Sequence, residues 1–312
     1  MKTHLSISLV SMLVLSSANL ANAIIPTFSQ NIFVADYSAN TIGEIAPGGG
    51  QTTFASGLNN PYGIAFDNAG DLFVADDGTG NIYKYVPGGA QSTFATVPNY
   101  PHGLACDSAG NLYVANFFLG SITKITPGGA QSTYATGLSG PNQLSFDSDG
   151  NLFVADYYSG SVTKITPGGA QSTIISGLTY ADGVAVDTAG DVFVAANSSP
   201  ATILEIAPGG SQSTFATGLA NINGMAFDTA GNLFVGDSGT GIIYEYTPGG
   251  VRSTVASGFL QPNGLAIQPA PEPSVFGFLA VGVVTLVVRR RWATFSFHRF
   301  FRYGIAATNR ET

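Results

Sequence analysis

Cysteine is nearly absent from this chain, whose 312 residues contain only Cys106. A single cysteine cannot form an intrachain disulfide, so the fold must be stabilised by a buried apolar core. Helical patterns are also missing, because no stretch within residues 31–268 repeats its apolar residues at the helical period. The 40 glycines and a charged content of only 10% instead favour strands joined by tight turns. The composition therefore predicts an all-β protein.

Basic residues are scarce outside the two termini. Residues 24–270 contain only Lys84, Lys124, Lys164 and Arg252, against seventeen carboxylates, which gives this segment a net charge of −13. A segment with this charge repels phosphate backbones, so we expect no nucleic-acid partner. Cations and neutral ligands are compatible with it.

Histidine is almost as scarce, since His102 is the only one between the two terminal segments. Zinc sites that need two or three histidines are therefore excluded. A Ser-His-Asp triad would depend on His102, and the sequence has no Gly-x-Ser-x-Gly motif to present the nucleophile. If the protein catalyses a reaction, His102 and Asp182 are the candidates for handling a proton.

A block of about forty residues recurs along the chain and predicts its architecture. Copies begin at positions 61, 101, 141, 181, 222 and 262, so the spacings are 40, 40, 40, 41 and 40. This period is typical of a β-propeller blade or a similar repeat unit. Propellers serve both as enzymes and as binding proteins, so the repeat predicts the fold and leaves the function open.

Residues 61–100 illustrate how one repeat forms a four-stranded blade. Strands are predicted at 64–67, 72–76, 81–86 and 92–97, with glycine-containing turns between the first and second and between the third and fourth. Residues 31–60 lack a first strand, and residues 262–267 supply a first strand with nothing after it. We therefore predict a six-bladed β-propeller at 24–270, closed by pairing of its N- and C-terminal strands.

The repeat sequence resembles that of a known group of propellers. Residues 110–116 (GNLYVAN), followed by a glycine-containing loop and the strand 121–125, resemble NHL repeats. They are also similar to the wider six-bladed group that includes gluconolactonases, the senescence marker protein lactonase and the streptogramin lyases. The resemblance covers residues 31–268 and implies the propeller fold.

One position of the repeat is predicted to line the central channel, because the residue before the first-strand glycine points inward in this fold. We call these six the ring residues: Tyr62, His102, Asn142, Asp182, Asn223 and Asn263. Amide and carboxylate oxygens suit Ca²⁺ or another divalent cation. In the gluconolactonase group, Asn and Asp hold a divalent metal near the channel, and the resemblance implies Asn142 and Asp182 as ligands, with Asn223 and Asn263 as further candidates. Alternatively, these side chains form Asx turns only.

Aromatic pairs occupy the loops after two adjacent second strands. These are Phe117-Phe118 and Tyr157-Tyr158, on the face of the disc where the copies differ most, which we call the variable face. Exposed aromatic pairs often mark a binding patch, for instance for sugar rings. With Tyr62 and His102 they form the predicted ligand-binding face. Packing of the rings across their own loops is the alternative.

A second polar series stands at the ends of the second strands. Its members are Asp36, Asp76, Asn116, Asp156 and Asp237. Because five blades share it whatever their ring residue, we predict a structural role for it, capping the loop that follows.

Both termini carry the features of targeting segments. Residues 1–23 read as a secretory signal peptide, with an apolar stretch followed by Ala21-Asn22-Ala23. Residues 271–291 combine Pro-Glu-Pro, an apolar run and three arginines, and resemble the PEP-CTERM sorting signal of Gram-negative bacteria, which implies an exosortase-type partner and transient anchoring in the inner membrane. A plain C-terminal anchor is the alternative. Residues 292–312 form a basic, aromatic tail.

These observations predict an exported protein at the outer surface or in the extracellular matrix of a Gram-negative bacterium. We expect a monomeric binding or interaction protein that contacts a surface polysaccharide or another protein through its variable face. The alternative is a divalent-metal-dependent lactonase or lyase of the gluconolactonase-like group.

Overall fold

The computed structural model describes residues 28–269, and all regular structure in this range consists of β-strands. Twenty-four strands form six four-stranded antiparallel sheets, each of which is one blade of a β-propeller. The predicted all-β, six-bladed propeller is thereby confirmed. Within residues 28–269, no helix has the length and apolar character needed to cross a membrane. The predicted signal peptide 1–23, sorting segment 271–291 and tail 292–312 lie outside the described residues.

The strands follow one another along the chain with one break in the order. Blade 1 contains β1 (Ile32–Asp36), β2 (Thr41–Ile45) and β3 (Gln51–Ser56), with β24 (Pro262–Ile267) beside β1. Blade 2 contains β4 (Pro61–Phe66), β5 (Leu72–Asp76), β6 (Asn81–Tyr85) and β7 (Gln91–Thr96). Blade 3 contains β8 (Pro101–Cys106), β9 (Leu112–Asn116), β10 (Ser121–Ile125) and β11 (Gln131–Thr136).

The remaining blades repeat this pattern. Blade 4 contains β12 (Pro141–Phe146), β13 (Leu152–Asp156), β14 (Ser161–Ile165) and β15 (Gln171–Ile175). Blade 5 contains β16 (Ala181–Val186), β17 (Val192–Ala196), β18 (Ala201–Ile206) and β19 (Gln212–Leu219). Blade 6 contains β20 (Ile222–Phe227), β21 (Leu233–Asp237), β22 (Ile242–Tyr246) and β23 (Arg252–Ser257).

Blade 1 is built from both ends of the repeat region. β24 pairs antiparallel with β1, with Ile32 opposite Ile267 and Val34 opposite Leu265. The backbone N–H of Gln268 also donates to the carbonyl of Asn31, at 2.9 Å. β24 contacts the inner strands of both neighbouring blades, β4 and β20. The strand missing from residues 31–60 is therefore supplied by the last copy of the repeat.

The core consists of six apolar clusters, and each contains residues from two adjacent blades. Phe73 of blade 2, for example, belongs to the same cluster as Leu104 of blade 3. Cys106 packs against this cluster as a free thiol, and burial raises its pKa to about 12. One cluster joins blades 6 and 1, where Phe28 lies edge-on to Phe234 with ring centroids 5.5 Å apart. Burial of both faces of each blade explains why the strands lack strict alternation.

In blades 2 to 6, a side-chain-supported turn joins the inner strand to the second strand. Oδ1 of Asp67 accepts the N–H groups of Ala69 and Asp71, both at 2.9 Å, and Gly70 takes a φ of 82° that favours glycine. The same turn recurs at Asp107, Asp147, Asp187 and Asp228. These turns, with those between third and fourth strands, form the face opposite the variable face, which we call the turn face.

The inner strands begin earlier than the sequence predicts, at Pro61 rather than Ile64 in blade 2. Pro61 pairs with Asp76 and Ile64 with Val74, so Tyr62 and Gly63 together face one residue of the partner strand. This irregularity is a β-bulge, which bends a strand and redirects its side chains. Matching register shifts occur in the inner strands of blades 3 to 6. The bulge turns the residue before the glycine towards the channel.

Candidate ligand-binding site

The ring residues line one central cavity of about 480 Å³, which opens on the variable face. All six are buried. The cavity is also lined by the four predicted aromatic residues, Phe117, Phe118, Tyr157 and Tyr158. Five further lining residues were not predicted: Tyr37, Asp77, Tyr100, Asn221 and Gln261. The fold thus brings together, in a single cavity, all the candidate catalytic, metal-binding and ligand-binding residues that comparison of the repeats predicted.

Hydrogen bonds connect three ring residues across three consecutive blades. His102 Nδ1 lies 3.2 Å from Asn142 Oδ1, and Asn142 Nδ2 donates to Asp182 Oδ1. The other oxygen of Asp182 accepts a hydrogen bond from Asn197 Nδ2 at 2.8 Å. Asn197 belongs to the loop that carries the extra residue of the fifth repeat, and its Oδ1 accepts the N–H of Ile222. The lengthened loop therefore provides a partner for the buried carboxyl group.

The remaining two asparagines of the ring complete this network. With its amide oriented to satisfy its neighbours, Asn223 donates from Nδ2 to Asp182 Oδ2 and to the carbonyl of Ile222, both at 3.2 Å. Its oxygen then lies 2.7 Å from the Asn263 side-chain oxygen, so the Asn263 amide must be turned as well for its NH₂ group to donate. Asp182 is accordingly surrounded by three side-chain amides, and the ring residues are largely satisfied by one another.

This arrangement does not fit a preformed divalent-cation site. Asp182 is the only carboxylate among the four predicted metal ligands, and both of its oxygens accept amide hydrogens. Divalent cations need several free oxygens, and Ca²⁺ takes six to eight. Within residues 28–269, no group of three His, Cys, Asp or Glu side chains is placed to hold a metal ion. A cation at Asn142, Asp182, Asn223 and Asn263 would first have to displace the amide hydrogen bonds.

Burial shifts the pKa values of both candidate catalytic residues, Asp182 and His102, in the direction that favours the uncharged form of each side chain. It raises the pKa of Asp182 to about 7, an effect that the hydrogen bond from Asn197 partly offsets. It lowers the pKa of His102 to about 4, and the hydrogen bond to Asn142 partly offsets this too. At neutral pH, His102 is therefore uncharged and Asp182 is close to half ionised.

The His102 imidazole lies in a stack of three rings. Tyr62 lies on one side, with ring centroids 4.0 Å apart and planes 11° apart, and Phe117 is stacked at 4.3 Å and 21°. The edge of the imidazole faces Asp77, with Nε2 at 3.7 Å from Oδ1. Asp77 follows β5 at the repeat position that Phe117 and Tyr157 occupy in blades 3 and 4, so comparison of all copies at that position would have identified it. The stack fixes which edge of His102 meets Asp77.

Exposed aromatic side chains lie on one side of the cavity mouth, after the second strands of blades 3 and 4 and before the inner strands of blades 3 and 5. Phe118 is 61% exposed, Tyr158 58%, and Tyr100 and Tyr180 49% each. We call these four the aromatic rim. Tyr100 lies edge-on to Phe118 at 5.0 Å, and Tyr180 is stacked on Tyr157 at 4.7 Å. Tyr100 and Tyr180 occupy the same position of the repeat, directly before the inner strand, and comparison of the copies at that position would have identified them.

The predicted aromatic pairs divide into two environments. Phe117 is buried in the stack with His102, and Tyr157 is half-buried beneath Tyr180. Phe118 and Tyr158 project to solvent. Each pair therefore combines one ring that packs within the loop with one that remains available for contact.

The polar series at the ends of the second strands has a structural role, but it serves mainly a different loop from the one predicted. Asp76 accepts the N–H of Asn59, which leads into the inner strand of the same blade, at 2.9 Å. Asp36, Asp156 and Asp237 bind the corresponding loops of their blades. Two members also accept from the following loop, Asp237 from the Gly239 N–H and Asp76 from the Thr79 side chain. Asn116 instead donates to the hydroxyls of Ser121 and Thr123.

Two further cavities, of about 430 and 440 Å³, lie between blades 5 and 6 and between blades 4 and 5. They are lined by turn-face residues that recur in most copies of the repeat, such as Asp187 and Pro248 in one and Asp147 and Pro208 in the other. The central cavity differs from them because its lining varies from blade to blade.

Comparison with known proteins identifies the fold and no family. No protein-family profile and no curated protein sequence matches the chain. Among solved structures, it is similar to a chain from a nidogen/laminin complex, with a TM-score of 0.69 and 16% identity over 77% of this chain and 98% of that chain. It is similar to a streptogramin B lyase, with a TM-score of 0.60 and 17% identity over 76% of this chain and 83% of that chain.

A third similar structure is the virginiamycin B lyase of Staphylococcus aureus, with a TM-score of 0.58 and 16% identity over 76% of this chain and 84% of that chain. These neighbours include both a binding complex and lyases. At 16–17% identity the likeness shows the fold alone, and the fold is that of a six-bladed β-propeller.

Proposed function

We propose that this protein is an exported, NHL-like β-propeller that acts as a binding protein at the cell surface or in the extracellular matrix. Its contact surface is the variable face, and its ring is closed by the pairing of β24 with β1. The observation that carries the proposal is the central cavity with its aromatic rim, where four exposed large rings stand on one side of a polar opening.

The exposed rings favour binding over a purely structural role. Large aromatic side chains gain free energy when removed from water, so their exposure on one face marks an interaction surface. Flat rings beside amide and hydroxyl groups suit sugar rings and also protein side chains. The similar chain in the nidogen/laminin complex belongs to a protein–protein assembly, which supports a binding role for this fold.

The proposal includes the localisation of the protein. The signal peptide at 1–23 and the PEP-CTERM-like segment at 271–291 support export followed by exosortase-dependent sorting, with transient inner-membrane anchoring. A monomer with a surface polysaccharide or a surface protein as its partner agrees with this route in a Gram-negative bacterium.

Substitution in the aromatic rim tests the proposal. The full chain and its Phe118→Ala/Tyr158→Ala variant are titrated against a panel of immobilised bacterial exopolysaccharides and surface proteins. We expect the double variant to bind its target at least about tenfold more weakly, since each ring contributes on the order of 1 kcal/mol to a contact. Val251→Ala, which removes an exposed apolar side chain from the turn face, is the control. Equal binding by all three proteins would contradict the proposal.

A divalent-metal-dependent lactonase or lyase is the second candidate. It is favoured by the hydrogen-bonded series His102, Asn142 and Asp182 and by the two lyases among the similar structures. In this case His102 or Asp182 would transfer the proton. Calorimetric titration with Ca²⁺, Mg²⁺ and Zn²⁺, repeated on Asp182→Ala, separates the candidates. Binding that the substitution abolishes would support the enzyme, and the absence of binding by all three ions would end the metal-dependent case.

A further inference from the structure

Asp77 is a buried carboxylate that the rest of the structure leaves poorly satisfied. Its side chain is only 5% exposed and lines the central cavity. Among residues 28–269, Oδ1 has no hydrogen-bond partner, and Oδ2 has only the Tyr37 hydroxyl, at 3.5 Å. An unsatisfied buried oxygen costs about 1–3 kcal/mol, and more when it is charged. The aspartates at the ends of the second strands, by contrast, accept backbone N–H groups.

His102 Nε2 lies close to Asp77 Oδ1 and is assigned as a second acceptor. With Asn142 Nδ2 donating to Asp182, Asn142 Oδ1 faces His102 Nδ1, and this network assigns the imidazole proton to Nδ1. In the neutral ring, Nε2 then presents a lone pair to Asp77 Oδ1, at 3.7 Å. Two acceptors therefore face each other 3.7 Å apart beside the cavity. A donor nitrogen to one side of the line that joins them, about 2.9 Å from each, would satisfy both. Because Oδ1 is closed to solvent, the donor reaches it only with a small movement of the Asp77 or His102 side chain.

The described part of the chain supplies no cation for this position. Within residues 28–269 the only basic side chains are Lys84, Lys124, Lys164 and Arg252, and none of them lines the central cavity. Each lysine pairs with an aspartate of the turn face, namely Asp71, Asp107 and Asp147 in order. Arg252 lies over the ring of Tyr244.

The walls around these acceptors are aromatic. Tyr37, Tyr62 and Phe117 line the same cavity, and Tyr62 lies edge-on to Tyr37 at 5.9 Å. Aromatic faces attract organic cations through their negative quadrupole and repel anions. A carboxylate, a neutral imidazole acceptor and aromatic walls without a basic residue form a set that recognises an ammonium group.

We infer that the central cavity binds a ligand bearing a protonated amine, whose N–H groups bridge Asp77 Oδ1 and His102 Nε2 while its carbon skeleton lies against the aromatic walls. This inference rests on the proposed binding function and names the ligand class of the same cavity. The ligand must be a primary, secondary or tertiary ammonium, because a quaternary ammonium has no N–H group to donate to Asp77 Oδ1 and His102 Nε2.

The ionisation states at neutral pH agree with this assignment. Burial raises the pKa of Asp77 to about 6 and lowers that of His102 to about 4. At pH 7.5, Asp77 is therefore mainly an anion and His102 a neutral acceptor.

Two probes that differ only in the charged group test the inference. Tyramine carries an ammonium where tyrosol, otherwise identical, carries a hydroxyl. Calorimetric titration of the full chain at pH 7.5 is expected to show tyramine binding at least about tenfold more tightly than tyrosol, as a charge-assisted hydrogen bond requires. Asp77→Asn should weaken tyramine binding by at least about tenfold and change tyrosol binding less than twofold. Asp149→Asn makes the same charge change at an exposed turn and should change neither.

The outcomes separate this inference from the proposed function. If tyrosol binds as tightly as tyramine and Asp77→Asn changes the affinity for neither, the assignment of a protonated amine as the ligand is wrong. The proposal that the cavity binds a ligand is then unaffected, and the ligand is neutral. If neither probe binds, the amine inference is likewise overturned, and the polysaccharide and protein panel decides the proposed function independently. The difference in affinity between tyramine and tyrosol is measured on the unsubstituted chain. This comparison therefore tests the inference even if Asp77→Asn fails to fold.

Discussion

Among single residues, the titratable groups of the central cavity lose their hydration on burial, and their hydrogen bonds within the protein only partly replace it. Asp182 is surrounded by amides yet has its pKa raised to about 7, because three neutral donors do not replace the hydration of a carboxylate. Asp77 and His102 are shifted for the same reason, towards about 6 and about 4. Such shifts cluster at functional sites, which supports placing the function in this cavity.

The raised pKa of Asp182 predicts a pH dependence of stability. Between its ordinary pKa of 3.8 and its folded pKa of about 7, the folded state holds a proton that the unfolded state has lost. Stability from this group is therefore present below about pH 4 and is lost as the pH rises to about 7. Relative to Asp182→Asn, the unsubstituted protein should lose about 2–4 kcal/mol of unfolding free energy over this range.

The measurement is urea denaturation of both proteins at pH 4, 5.5, 7 and 8. Asp77 and His102 titrate in the same range, but they are present in both proteins, so their contributions cancel in the difference. A difference that is flat with pH would show that Asp182 is not desolvated as described.

The sequence identified most residues of the cavity and few of their contacts. The ring residues were predicted together because identical repeats place matching positions at matching points of a circle. Asp77 and Asn197 occupy the repeat position of Phe117 and Tyr157, so the copies marked their place on the variable face. Their individual contacts could not be predicted, because these depend on how the folded loops meet, which a repeat pattern does not contain. The division of each aromatic pair into one packed and one exposed ring depends equally on tertiary contacts.

At the scale of the strand, the bulged inner strands bring neighbouring blades into close contact at the channel. A Cβ atom on Gly63 or Gly103 would overlap the main chain of the next blade. The glycines of these strands are therefore required by packing between blades rather than by a left-handed φ. The sequence contained this signal, since glycine inside a strand often marks a bulge, and a first strand predicted from Ile64 onward missed the residues before it.

Substitution of an inner-strand glycine tests this packing. Gly103→Ala places a methyl group against the backbone of Asn142 and Gln143, neither of which can rotate away. We expect a loss of about 1–3 kcal/mol of unfolding free energy, measured by urea denaturation, as for other overpacked sites. Gly128→Ala is the control, because its nearest neighbour, Thr126 Oγ1, would be 3.9 Å away. Equal stability of the two variants would contradict the described blade contacts.

At the scale of the whole molecule, the question is whether the ring depends on its last strand. β24 pairs with β1 and contacts both neighbouring inner strands, and an apolar cluster joins blades 6 and 1. The sequence predicted the split blade by counting strands, since the first repeat lacks what the last supplies. It could not supply the register of β24 against β1, which depends on the geometry of the assembled blades.

Truncation tests closure of the ring. A chain that ends at residue 261 lacks β24, whereas a chain that ends at residue 270 retains it and lacks the same downstream residues. Loss of the pairing and of buried Leu265 should remove several kcal/mol, which lowers the melting temperature by at least about 10 °C in a protein of this size. Equal melting temperatures for the two chains would refute closure by β24.

We expect the protein to recognise its ligand on the variable face, through the central cavity. A crystallographic screen of soaked amines, sugars and lactones tests it most directly, because it locates binding without assuming a ligand. We predict that bound compounds lie in the central cavity and against the aromatic rim. Compounds found only in the two turn-face cavities, with the central cavity unfilled, would contradict the account.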